Sequence, residues 1–468
     1  MKIAYIHYHL ETGGVTTVVC NQAQLLLEAG HEVLVLSSSK KPPRPIPHLT
    51  LPDLAYRNDP NPLETPLEEQ VLSACHSHWQ SLPDLIHLHN PTLGKNTAFT
   101  PLIAALAASK IPLILQLHDF AEDNRPTNYQ RLGNSNLYPV APQIHYTFLN
   151  SRDHNCLLAA SLPKEQAHYL PNSLSPLSLT RKDETPRSQT SSPLILYPVR
   201  AIPRKNIAEL LFLAALAPKE ATFAISLAPS NSEWLPLHDE LESFAKEHNL
   251  PVLFNVTDRI SPTPSLGTDF QSWIKAASHL VTTSLAEGFG YAFLEPAAHN
   301  KPLFGRDLPL ITSDLKKLGF EPGKLYPQLP VSLSEFSVEN LKEKILSNRQ
   351  EHFRHYGQNC ENNELENYWL RITTEHTIDF SLLPLAEQKK IILLAKGNVE
   401  TFPSSRRWLA EALKETEAHS SLAQLNAFLP EAARERLLNL YQKAITSPRK
   451  EPSWLSRVAV LQEFLSLY

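Results

Sequence analysis

The sequence predicts an α/β fold of two successive Rossmann-like domains on parallel sheets, followed by a helical extension. Three observations predict it. The chain opens with a strand, a Gly turn, a helix and a second strand; the alternation of strands and helices restarts after a stretch poor in apolar residues; and strand patterning is lost beyond about residue 335. At 468 residues the chain is also longer than the roughly 250–300 residues at which a single core stops growing.

Each element has its own signal. Lys2 to Tyr8 reads as a strand, and Thr12-Gly13-Gly14 as the turn after it. Val15, Val18, Val19, Ala23, Leu26 and Ala29 then recur at helical spacing up to a stop at Gly30, and Glu32 to Leu36 returns as a strand. Apolar runs at Leu85 to Leu88, Pro112 to Leu117 and Ile144 to Leu149 predict further strands, with Leu102 to Ala108 as a helix between two of them. This gives a first domain over 1–172. Residues 173–193 mix Ser, Thr, Pro and charge with too little apolar content to pack, and read as an exposed linker. A second domain over 194–335 alternates again: strands at Leu194 to Val199, Thr222 to Leu227, Val252 to Val256 and His279 to Thr283, with helices at Ile207 to Ala217, Glu233 to His248 and Phe270 to Ala277. Residues 336–468 read as helices at Val338 to Arg349, Leu385 to Ala395, Arg407 to Glu417, Glu431 to Ile445 and Trp454 to Leu467, at least one of them packing back on the first domain. Two such αβ halves are expected to face a cleft, with ligands beyond the carboxyl ends of the strands.

Composition excludes several classes. With 43 Lys+Arg against 48 Asp+Glu and a net charge of -5, the chain has no global basic field for nucleic acid or anionic membrane, so a bound phosphate must be met by local cations. Cys20, Cys75, Cys156 and Cys360 lie far apart, without zinc-site spacing or disulfide density, and are expected as buried thiols in a reducing compartment. No stretch approaches the roughly 18 apolar residues of a membrane span, so a cytoplasmic protein without a transmembrane segment is expected.

The segment from Glu287 to Glu295 is the strongest chemical signal. Two carboxylates enclose a Gly288-Phe289-Gly290 turn just after a strand, where backbone N–H groups can approach a ligand at a helix start. Glu295 falls about two helical turns on, placed to accept hydrogen bonds from paired hydroxyls such as those of a ribose. The same spacing also suits an ordinary helix start with charged first turns. Arg200, Arg204 and Lys205 follow the strand Leu194 to Val199, and cations there suit the phosphates of a nucleoside diphosphate or, equally, a solvated basic loop. Gly13-Gly14 opens a helix without the full GxGxxG pattern. His118-Asp119 ends one strand, and His87 and His89 share a face at the end of another. They lack a third ligand at metal spacing, so no metal is expected.

Together these residues resemble the retaining glycosyltransferases of family four, which have the GT-B fold. The likeness runs from Met1 to about Ser313, through GGVTTVVCNQAQLLLEAGHEVLVL, DLIHLHN, LHD, YLPNS, the Arg200 and Lys205 segment, and EGFGYAFLEPAAHNKPLFGRD. The resemblance implies that Arg200 and Lys205 hold a donor diphosphate, Glu295 its ribose, and Glu287 with Gly288, Phe289 and Gly290 its sugar. Gly13 and Gly14 would approach the phosphate, and His118 the reacting sugar, with His89 and Asp119 toward the acceptor. It further implies transfer of a hexose from a nucleotide-sugar donor with retained configuration, no cofactor and no metal. The acceptor, whether small molecule, glycan or lipid-linked, stays open. Two departures stand out: Pro171-Asn172-Ser173 replaces the usual Pro-Asn-Gly, and the extension matches nothing in the family. A nucleotide-sugar epimerase, a sugar phosphorylase or a catalytically silent nucleotide-sugar-binding protein could use the same fold.

Overall fold

The computed structural model describes residues 1–467 except 12, 60, 134, 175–191 and 259–265. Most of the expected linker, and Thr12 of the first turn, therefore lie outside the described residues. The chain divides into two compact units. One comprises Met1–Pro176, His355–Gly357 and Asn426–Tyr468; the other comprises Leu177–Arg354 and Gln358–Leu425.

In the first unit the described residues form a seven-stranded parallel sheet. Its order is His48–Thr50, Glu32–Ser37, Lys2–Ile6, Leu85–His89, Leu113–Leu117, Ile144–Phe148 and Ala167–Tyr169. The central strands Leu85–His89, Leu113–Leu117 and Ile144–Phe148 are buried at every position, because helices cover both sheet faces, as parallel strands require. On one face Ile86, Leu88, Leu115 and Leu117 pack with Phe99, Leu102 and Leu106 of Phe99–Ala108 and with Val460 and Phe464 of Arg457–Leu465. On the other, Ile3, Tyr5 and Val35 pack with Val19, Ala23 and Leu26 of Gly14–Glu28 and with Leu437, Leu440, Tyr441 and Ala444 of Pro430–Thr446. Two helices from the end of the chain thus close both faces of the N-terminal sheet.

The second face is unusually polar. Register pairs Tyr5 with His87, and aligns His89, Gln116, Thr147 and His168 across four strands. The hydroxyl of Tyr441 reaches into it, 2.6 Å from the hydroxyl of Tyr5 and 2.7 Å from Nδ1 of His87.

A six-stranded parallel sheet organises the second unit, in the order Val252–Leu253, Thr222–Leu227, Leu194–Arg200, His279–Thr282, Leu303–Arg306 and Lys324–Tyr326. Helix Ile207–Leu216 is buried at every position. Its apolar residues form one core with the sheet and with Ile391, Ile392 and Ala395 of Leu385–Gly397 and Leu409 and Ala412 of Pro403–Ala412.

Several expected boundaries move. The first strand ends at Ile6, not Tyr8; the Tyr8 side chain turns inward and donates its hydroxyl to the carbonyl of Asn90. Strands also do not give out near residue 335. Pro330–Ser332, Thr377–Asp379 and Thr373–Thr374 form a small antiparallel sheet whose turn puts Glu375 and His376 at positive φ, and Ser453–Trp454 pairs with Pro139–Val140. Strands of two or three residues leave no periodicity to read. The last helix begins at Arg457 instead of Trp454, because the Ser456 side chain caps it by accepting from the amide of Ala459. The helix expected from Arg407 is Pro403–Ala412, with Pro at its first position.

Candidate functional site

In the second unit the site is built where strands Leu194–Arg200 and His279–Thr282 end. A short 3-10 turn at Pro203–Lys205 follows the first of them, and Asn206, at φ 49, starts helix Ile207–Leu216. This turn is fastened to the neighbouring strand end. The hydroxyls of Tyr197 and Thr283 donate to the Lys205 carbonyl at 3.1 and 2.9 Å, and the amide of Leu285 donates to the Arg204 carbonyl at 2.8 Å.

The turn directs its cations at Glu287. Lys205 is buried and its ammonium donates to Oε1 of Glu287, while Arg204 donates to Oε2 at 2.9 Å and to the Ala286 carbonyl at 2.7 Å. Burial pushes the Glu287 carboxyl up, but Lys205 and Arg204 outweigh it and hold the group below its ordinary range. Lys205 is therefore no part of a solvated basic loop: it is 8% exposed and ion-paired. Arg200 remains exposed, with one long contact of 3.4 Å to the Ala228 carbonyl.

Gly290 caps helix Tyr291–Ala298 at φ 99, and a Cβ there would lie 2.8 Å from Cγ2 of Ile311. Only Gly fits both constraints. The helix carries Glu295 into the neighbourhood of Lys205 and Glu287, where burial, with Glu287 adding to it, pushes its carboxyl up to about 7 against the pull of Lys205. Among the described residues no hydrogen bond from a protein group satisfies the Glu295 carboxyl.

In the first unit the expected His118 and Asp119 end strand Leu113–Leu117. Asn90, at φ 53, fixes them: its Oδ1 accepts from the amides of His118 at 2.6 Å and Asp119 at 3.0 Å. Nε2 of His118 lies 3.0 Å from Nδ1 of His89. Burial lowers His118 to about 4 and takes His89 well below the ordinary range, so at neutral pH one ring donates and the other accepts a single proton. His89 is fully buried beneath His118; it orients that ring and offers no surface to an acceptor. Asp119 is held by Arg125 at 2.6 Å. Gly13 and Gly14 begin helix Gly14–Glu28, and a Cβ at Gly14 would meet nothing within 4 Å, so the chain's own packing does not demand Gly there.

Among the described residues one trio of ligand-type side chains, His238, Asp239 and Glu242, gathers within 4.8 Å. Both His238 nitrogens are engaged, with Asp239 and Asn255. All four cysteines are free and buried, and no helix among the described residues is long and apolar enough to cross a membrane.

Residues 12–175 match Glycosyltransferase Family 4. A mannosylglucosyl-3-phosphoglycerate synthase of Petrotoga mobilis is 28% identical over 431 residues, covering 84% of this chain and 81% of the relative. The family-four match thus falls on the N-terminal part of the chain. The chain's fold is GT-B. It is shared with sucrose-phosphate synthase of Thermosynechococcus elongatus (TM-score 0.51, 15% identity, 94% of this chain and 98% of the other). Anabaena Alr3699/HepE, solved with UDP and glucose, is similar to the same degree (TM-score 0.52, 14% identity, 94% and 99%).

Several residues that brace the site from behind carry no sequence signal. Glu209 accepts from Asn206 at 2.8 Å, from Arg306 and from the Tyr326 hydroxyl at 2.6 Å. Arg306 in turn forks onto Asp379 at 2.8 and 3.0 Å. The cationic turn is thereby tied, through a buried ion network, to the small sheet of the extension. Arg306 lies within the quoted segments and Asn206 just past the Lys205 segment, but nothing local distinguishes them; Glu209 and Asp379 carry no motif at all.

Proposed function

We propose that the protein is a retaining, metal-independent hexosyltransferase that uses a nucleoside-diphosphate sugar. One observation carries the reading: Lys205 and Arg204 converge on Glu287 beside a Glu295 carboxyl without a hydrogen-bond partner among the described residues. The exposed Arg200 and the Lys205 ammonium supply positive charge for a diphosphate. Glu295 supplies an acceptor for ribose hydroxyls, and the Gly288-Phe289-Gly290 backbone with Glu287 a seat for the sugar. The UDP and glucose named with the Anabaena structure support this class of donor.

In the reaction proposed, the bond between the sugar's anomeric carbon and the diphosphate oxygen breaks, with both electrons leaving on that oxygen. The acceptor oxygen bonds the same carbon from the same face, and its proton passes to the departing phosphate. Arg200 and Lys205 stabilise the charge that grows on the leaving group; His118 is assigned to the reacting sugar and Asp119 to the acceptor. The phosphoglycerate in the Petrotoga relative's name supports an acceptor carrying an anionic group.

The test varies the donor at saturating acceptor. Arg200→Ala is expected to keep its fold, because the side chain is exposed, and to lose roughly a hundredfold in kcat/KM. Glu287→Gln is expected to act mainly on kcat. Activity is expected to survive exhaustive chelation, and the product to keep the donor's anomeric configuration. A strict divalent-cation requirement, an inverted product or a fully active Arg200→Ala would refute the mechanism.

A further inference from the structure

Resting on the transferase reading above, we propose that Lys95, Arg125 and Arg131 form an anion site of the first unit that takes a phosphomonoester carried by the acceptor. All three stand at the carboxyl ends of the central strands. Lys95 lies in the loop after Leu85–His89, Arg125 closes the loop after Leu113–Leu117, and Arg131 is on helix Pro126–Leu132.

The backbone forces them together. Gly94 sits at φ 72 so close to the helix that a Cβ would lie 2.7 Å from the Asn128 carbonyl, and Arg131 donates to the Gly94 carbonyl at 3.1 Å. Lys95 is therefore pinned beside Arg131. Arg125 is fixed from three sides: its guanidinium donates to the carbonyls of Phe120 and Asp123 and to Asp119, and its amide donates to the Tyr356 hydroxyl at 2.6 Å.

Among the described residues Lys95 and Arg131 are the members without a carboxylate partner, and Lys95 is also without a hydrogen-bond acceptor. It is half-buried, and among the described residues nothing accepts a hydrogen bond from its ammonium, which lies 5.4 Å from the centre of the Tyr56 ring. Burial first, then repulsion from Arg125 and Arg131, lowers its pKa, and Asp119 opposes them only in part. Asp119 is already paired with Arg125, and Glu11 is within electrostatic reach of Tyr56. Three cations against Asp119 leave an excess positive charge gathered at one place in a chain of net charge -5. Assembling like charges is unfavourable unless an anion joins them. A phosphomonoester dianion matches this excess, and its oxygens suit two guanidiniums and an ammonium.

The experiment is calorimetric binding to the full-length protein with saturating nucleoside diphosphate, so that the donor cations are occupied. The probes are glycerol 3-phosphate, D-3-phosphoglycerate and D-glycerate. Both phosphomonoesters are expected to bind and glycerate not. Lys95→Gln should weaken them at least about tenfold, the effect of losing one charge-assisted hydrogen bond, with Lys95→Arg recovering most of it and nucleotide affinity unchanged. Lys205→Gln should weaken the nucleotide and leave the phosphomonoesters alone. The proposal is overturned if the wild type ignores both phosphomonoesters, if glycerate binds as well as they do, or if Lys95→Gln binds like wild type. Failure of the donor reading would look different, as a nucleotide that does not bind or that ignores Lys205→Gln.

Discussion

Glu295→Gln should make the ligand-free protein more stable while weakening its hold on the donor. The Glu295 carboxyl is raised from 4.5 to about 7 by burial and by Glu287, with Lys205 opposing. A group whose folded-state pKa is raised contributes stability that is fully present below about pH 4.5 and lost as the pH climbs through about 7, because ionising it in the folded state is disfavoured. At about 1.4 kcal/mol per pH unit, that rise is worth on the order of 3 kcal/mol once the carboxyl is ionised. Gln has the size of the protonated acid and never ionises, so it escapes the penalty. Urea denaturation of both proteins from pH 4.5 to 8.5 at fixed ionic strength measures the difference. The stability gap should open in favour of the variant as the pH rises through about 7 and close toward pH 4.5. Donor KM should rise roughly tenfold in the same variant, from loss of a charged acceptor for the ribose hydroxyls. A gap that does not change with pH, or a variant less stable than wild type at pH 8, would refute the placement of Glu295 as a half-buried carboxyl without a hydrogen-bond partner among the described residues.

Asp379→Asn removes one of the two carboxylates that neutralise buried Arg306, and should destabilise the second unit by about 3 kcal/mol in urea. It should also raise donor KM through the Glu209–Asn206 link, with Asp379→Glu recovering part of both; unchanged stability would sink the network. Tyr441→Phe leaves the Tyr5 hydroxyl and His87 Nδ1 facing an apolar ring and should cost about 1–3 kcal/mol. Denaturation matching the wild type would mean that the hydroxyl does not hold helix Pro430–Thr446 to the sheet.

Local pattern marks the longer strands of both parallel sheets, but not His48–Thr50, Ala167–Tyr169, Leu303–Arg306 or Lys324–Tyr326, which have only three or four residues each. Strands of five to seven residues and helices of ten or more carry enough periodicity to be read one at a time, and the motif from Glu287 to Glu295 needs only one turn and one helix to place its carboxylates. Local pattern also places His118-Asp119 at a strand end, since register alone decides that. What surrounds these groups depends on long-range packing. Whether Lys205 is open or buried against Glu287, whether His89 faces a ligand or lies under His118, and whether Glu295 holds its proton near neutrality all depend on residues more than 25 positions away or on a neighbouring helix. The destination of the extension was equally illegible. Helix Pro430–Thr446 joins the N-terminal sheet because Leu437, Leu440, Tyr441 and Ala444 fit one of its faces, and Asp379 joins the cationic turn through Arg306. Periodicity shows that a helix has an apolar face, but which sheet face it covers is settled by long-range packing, and a buried charge declares its partner only when the chain has folded around both.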